Sequence, residues 1–267
     1  MKKSSPLSKE FMYQIVALIL IIIFVHAAYV GIIRPNADAI LARQAEMVKI
    51  DKTQITERTV SVMIRDYEQE ACFILMLWAF AIMAYKAVIT VRHRSLLQVN
   101  LIPLAEGVRI LPEDTRELSR QIQALPPDQR SALLPRALLA GLQRFSSTRN
   151  VQDVADATHA YCETEGERLE SELSMIRYIA WAIPSIGFIG TVRGIGDALG
   201  QAHQAIEGDI FGVTLSLGVA FNSTLIALLI SIFLMFMLHQ LQLLQERYVL
   251  ETEAYCEDKL TRHLHTQ

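Results

Sequence analysis

The sequence predicts an all-α integral membrane protein with four transmembrane helices, a helical cytoplasmic insert, and third and fourth spans that extend into the cytoplasm. Three observations lead there. Hydrophobic residues make up 52% of the 267, and they gather in blocks rather than spreading along the chain. Four of those blocks reach the about 20 residues that an α-helix needs to cross a hydrocarbon core of about 30 Å. The polar stretches flanking the last two blocks carry apolar residues at helical spacing, with few helix breakers.

Residues 1–10 form a short N-terminus with Lys2, Lys3 and Lys9. The first span, 11–33, reads "FMYQIVALILIIIFVHAAYVGII" and has no charged residue. Its apolar run exceeds the roughly 7–15 residues of a signal-peptide core, so it is expected to stay as an anchor. Residues 34–71 carry both signs of charge and form a periplasmic segment. The second span, 72–91, is interrupted only by Lys86, which is expected to snorkel to the inner surface.

Residues 92–175 have ordinary polarity and read as short amphipathic helices punctuated by Pro112, Pro126, Pro127 and Pro135. Pro112, Glu113 and Asp114 suit the first turn of one of them. From Val151 to Met175 there is no proline, and Leu169, Leu173 and Ile176 keep helical spacing. That helix is expected to run straight into the third span, 176–200. The connector 201–210 has Glu207 and Asp209 but no Lys or Arg. A fourth span, 211–238, has no charge, and residues 239–267 continue it as a helix with Leu241, Leu244, Tyr248 and Tyr255 in approximate register. Arg92 and Arg94 follow the second span, so the positive-inside rule places both termini and the insert in the cytoplasm.

Several classes of function find no support. Cys72, Cys162 and Cys256 are odd in number and far apart, suggesting neither a disulfide framework nor a metal site. A formal net charge of -3 argues against nucleic acid as a partner. No phosphate-binding loop, nucleophile elbow or zinc-protease motif is present, so neither enzyme activity nor a cofactor is expected.

What stands out is "IPSIGFIGTVRGIG", residues 183–196, which loads a span with proline, glycine, threonine and arginine. At 100° per residue, Pro184, Gly187, Thr191 and Gly194 share one face, and Gly190 pairs with Gly194 as small-xxx-small. The fourth span has a matching stripe of Ser216, Ala220, Thr224, Ala227 and Ser231, with Leu225, Leu228, Leu229, Ile232, Phe233 and Phe236 elsewhere. The stripes fit either ordinary close packing, with hydroxyls bonded back to their own carbonyls, or two helices facing a common centre. Arg193 lies about 25 Å along its helix from Ile176, near the outer surface, where it can reach headgroups or pair with Asp197 one turn on. None of the four spans holds an Asp or Glu midway that could bind and release a proton.

"PSIGFIGTVRGI" (Pro184 to Ile195) resembles the signature of the MotA/TolQ/ExbB proton-channel family, commonly P-x-x-G-L-x-G-T-V-W-G-I. Pro184, Gly187, Gly190, Thr191, Val192, Gly194 and Ile195 match as they stand. "AFNSTLIAL" (Ala220 to Leu228) is similar to the second signature, A-L-x-x-T-A-x-G-L, with Ala227 where Gly is usual. Arg193 replaces a common Trp, Val219 a frequent Glu and Phe233 a common Pro. The resemblance implies a homo-oligomeric ring, usually of five subunits, in a bacterial inner membrane. A smaller single-span partner of the ExbD, TolR or MotB kind supplies a transmembrane Asp, and proton flow drives motion. It implies that Thr191 and Thr224 line the ion route.

Overall fold

The computed structural model describes residues 6–50, 59–102, 109–206 and 210–265. The outer-connector acids Glu207 and Asp209 lie outside these described residues. In chain order, α1 (Pro6–Ala28) passes through a π-helical turn (Tyr29–Ile33) into α2 (Arg34–Ile50). Short α3 (Val60–Met63) precedes long α4 (Tyr67–Arg94). Then come α5 (Thr115–Gln123), α6 (Pro127–Arg130), α7 (Leu133–Thr148), α8 (Val151–Ser171), α9 (Ser174–Gly200), α10 (Ala202–Ile206) and α11 (Phe211–Lys259). No strand occurs among the described residues; a single parallel bridge joins Ile110 to Leu264.

Among the described residues, four helical stretches are long and apolar enough to cross a membrane: Glu10–Met47, Tyr67–Gln98, Val151–Gly200 and Phe211–His263. Each contains one of the four expected blocks. Only 11–39% of each apolar window is buried within the chain, so most of that surface faces outward, as suits lipid or neighbouring copies. The chain divides into two compact units, Met1–Met83 with Met175–Leu238 and Ala84–Ser174 with His239–Gln267.

In the first unit the π-helical turn has a local cause. Pro35 has no N–H for the Gly31 carbonyl four residues back, and its ring crowds that carbonyl. The turn widens instead, and the Arg34 N–H reaches back five residues to the Tyr29 carbonyl. α1 is tied to α4 by the Trp78 indole, which donates to the Gln14 carbonyl at 3.0 Å. Phe80 of α4 meets Phe233 of α11 edge to face at 5.7 Å. Tyr29, Ala79, Ile82, Ile183, Ala220 and Leu234 are buried among these helices.

The second unit has the core of a water-soluble helical domain. Ile122, Leu134, Leu138, Phe145, Val154 and Leu260 are buried together, contributed by α5, α7, α8 and the residues just after α11. Helix ends are capped in recognisable ways. The Tyr248 hydroxyl accepts the otherwise orphaned Leu133 N–H at the start of α7 (3.1 Å). Arg149 closes α7 in the left-handed conformation (φ 52°), and the Asn150 side chain accepts the Gln152 N–H to open α8.

Three expectations need correcting here. Pro112 lies in a turn ahead of α5 rather than within its first turn: the Asp114 carboxylate accepts the Leu111 N–H at 2.9 Å, and Thr115 donates to the Pro112 carbonyl. α8 does not run unbroken into α9, because Glu172 and Leu173 form a turn between them. That turn seats Leu173 in the interior and brings Glu172 to Lys86. Lys86 therefore does not snorkel; it is 6% exposed and pairs with Glu172 at 2.9 Å, since a buried ammonium needs a counter-charge. α11, by contrast, is one helix of 49 residues.

Candidate functional site

The seam between α9 and α11 brings most of the singled-out residues together. Pro184 sits inside α9 and has no N–H to donate, which leaves the Ala180 carbonyl without its helical partner. Ser231 of α11 donates its hydroxyl to that carbonyl at 3.1 Å. About two turns further along, Thr224 donates to the Gly187 carbonyl at 3.1 Å. Thr191 reaches the Ala220 carbonyl at 3.1 Å and the Gly187 carbonyl at 3.3 Å. The Thr191 and Thr224 hydroxyls also contact each other directly.

Each hydroxyl has one proton to donate and can accept others. The pair thus holds two protons for four contacts: Thr191 with the Gly187 and Ala220 carbonyls, Thr224 with the Gly187 carbonyl, and the two hydroxyls with each other. More than one hydrogen-bonding order satisfies this geometry. Both threonines are half-buried and hold no fixed charge.

The glycines make that approach possible. A methyl group added at Gly187 would lie 2.5 Å from the Ala227 Cβ, and one at Gly190 would lie 2.5 Å from the Ser223 Cβ. At Gly194 it would meet the Ala220 nitrogen and the Ser216 carbonyl oxygen, both at 2.7 Å. Ser216 itself accepts from the Gln201 amide at 3.1 Å. Ser223, which the periodicity left out, is buried beside Gly190 and accepts from Gln69 of α4 at 3.2 Å.

Charged residues gather at one end of the seam. Arg193 forms a two-pronged pair with Glu68 at the start of α4, Nε to Oε1 at 2.7 Å and Nη2 to Oε2 at 2.8 Å. Asp66 follows at 3.6 Å, and the expected partner Asp197 lies farthest, at 3.9 Å. The neighbouring Glu70 is 6% exposed and bonds His26 at 2.7 Å and also Arg34. The Arg34 guanidinium lies 4.2 Å from the centre of the Tyr67 ring. Sequence reasoning missed Glu68 and Glu70, although two acids just ahead of the second apolar run were a visible sign. Their partners are 125 and 44 residues away in the chain, at a distance no local pattern reports.

The seam thus brings together residues of both signature stretches, Pro184 to Ile195 and Ala220 to Leu228. Residues 129–254 match the MotA/TolQ/ExbB proton channel family. The match takes in α7 to α10 and most of α11, just under half of the chain, and includes both stretches that carried the resemblance. No curated protein and no solved structure matches the chain.

Proposed function

We propose that this chain is the proton-conducting ring subunit of an inner-membrane complex that couples proton-motive force to mechanical work on a periplasmic or envelope process. The observation that carries this reading is the meeting of the Thr191 and Thr224 hydroxyls at the Gly187 carbonyl. Hydroxyls that can trade hydrogen bonds offer a polar surface to water and to a partner's carboxylate without a charge of their own. The small face of Pro184, Gly187, Gly190, Gly194, Ser216, Ala220, Ala227 and Ser231 holds the two helices close enough for that. In this reading the chain forms a homo-oligomeric ring, a pentamer by the family's usual pattern. A single-span partner threads it and supplies the titrating Asp. Both termini and residues 92–175 lie in the cytoplasm, and 34–71 and 201–210 lie outside.

A second reading follows from the same bonds. Ser231, Thr224 and Thr191 all donate to backbone carbonyls of α9 or α11, which is also how a non-conducting scaffold or signalling subunit would use them. Co-purifying the chain with its partner and measuring proton uptake by proteoliposomes separates the two. Thr191→Val with Thr224→Val is expected to lower flux about tenfold or more at unchanged oligomer size. A hydrogen bond to a charged group is worth roughly 1.5–3 kcal/mol, and about 1.4 kcal/mol is a factor of ten in rate. Unchanged flux in the double variant removes the ion-path assignment. A wild-type complex that passes no protons favours the scaffold.

A further inference from the structure

Between α2, α3, α9 and α11 of the first unit lies a cavity of about 280 Å³, room for several waters. Its wall includes Asp66, Asp197, Arg193, Arg65 and Asn222. Asn222 is 8% exposed, and no described residue bonds its side-chain amide, which lines the cavity. Such a group can bond water or another guest of the cavity, since an amide offers both donors and an acceptor.

The charges around the cavity do not balance. Arg193 is the one guanidinium shared by Glu68, Asp66 and Asp197, and Glu68 takes both of its best-placed N–H groups. Arg65 reaches Asp38 of α2 at 3.4 Å, and Glu70 has Arg34 and His26. Among the described residues, that leaves three carboxylates paired to Arg193, with Arg65, itself paired to Asp38, the one further cation acting on Asp66. Like charges crowded in a partly buried place favour protonation of one of them. Asp66 is the candidate: its side chain is 12% exposed, against 56% for Asp197, and it lacks the two-pronged pairing of Glu68.

We propose that Asp66 is a proton-binding site belonging to this chain itself, its carboxylate taking a proton from the outer aqueous side through the cavity and giving it back. Asn222 suits both states, since an amide can donate to a carboxylate and accept from a carboxylic acid. Burial raises the Asp66 carboxyl above the ordinary aspartate range and Glu68 adds to that, while Arg193 and Arg65 pull the other way. The outer direction of uptake rests on the topology proposed above; the site itself does not. Where that reading takes its titrating acid from a partner, this one adds an acid of the subunit's own, beside the arginine that anchors the end of α9.

The test is an infrared titration of carboxyl groups in the full-length chain, held in lipid nanodiscs. Wild type is expected to show a carboxyl that titrates above the usual aspartate range. Asp66→Asn should remove it, and Asp197→Asn should keep it. Glu68→Gln frees Arg193 to turn to Asp66 and should lower the midpoint by about one unit or more; this variant decides the matter if Asp66→Asn does not fold. A signal that survives in Asp66→Asn, a wild-type chain without one, or a midpoint that falls when sodium replaces potassium overturns the site, the last by making it a cation site. The titration uses the chain alone. A signal at Asp66 without flux in proteoliposomes would sink the ion-path reading and leave the site standing, whereas flux without the signal removes only the site.

Discussion

Because Pro184 cannot donate, the Ala180 carbonyl depends on Ser231 across the seam, and that dependence can be measured. Ser231→Ala is expected to destabilise the chain by about 1 kcal/mol, the usual net worth of one such bond. Pro184→Ala gives Ala180 back its helical partner, so the same Ser231→Ala change should then cost less. Thermal unfolding of the four combinations in detergent closes the cycle; purely additive costs would show that Ser231 does not serve the proline's carbonyl. At this scale the sequence was informative wherever a residue's role follows from helical period. Thr191, Thr224, Gly187 and Ser231 all take part in the hydrogen bonds of the α9–α11 seam. Arg193 keeps the expected Asp197 at 3.9 Å, but its shortest bonds go to Glu68, and Lys86 pairs with Glu172; both of these acids reach them only through the tertiary fold.

The glycines of α9 act through the helix as a whole, and each meets a different kind of neighbour. At Gly190 an added methyl runs into the side chain of Ser223, whereas at Gly194 it runs into backbone atoms of Ala220 and Ser216. Side chains can be trimmed and backbone cannot. Gly194→Ala should therefore destabilise the seam more than Gly190→Ala, both within the roughly 1–3 kcal/mol typical of overpacking. Ser223→Gly should rescue Gly190→Ala and leave Gly194→Ala unchanged. Gly190→Leu should go further and disrupt assembly, seen as loss of the oligomer on native mass analysis. Equal losses at the two positions, with no rescue, would mean that α9 and α11 do not pack this closely. Whole helices were the most legible level: apolar blocks, proline-free stretches and caps are all local signals. The turn at Glu172 and Leu173 was not legible, because it coincides with an ion pair and a buried leucine that depend on other helices. The widened turn at Tyr29–Ile33 was legible in principle from Pro35, two residues beyond the first span's end.

For the whole molecule the open question is which way it sits in the bilayer, and α4 bears on it directly. Its first turn carries Glu68 and Glu70, and its last turn carries Arg92, His93 and Arg94. Acids at the N-terminus and bases at the C-terminus each complement the helix dipole. The basic end is also the one that the positive-inside rule keeps in the cytoplasm. Asp66, Glu68 and Asp197 then fall together on the outer side, around Arg193. Cysteine labelling decides it. The three native thiols are buried within the chain, which limits background reaction. Glu207→Cys, in the connector, should react with a membrane-impermeant maleimide on intact cells whose outer barrier has been opened. Gln143→Cys, on the exposed face of α7, should react only after the inner membrane is permeabilised. The reverse pattern would turn the molecule over, and the acids around Arg193 would then face the cytoplasm and could not take protons from the outer side.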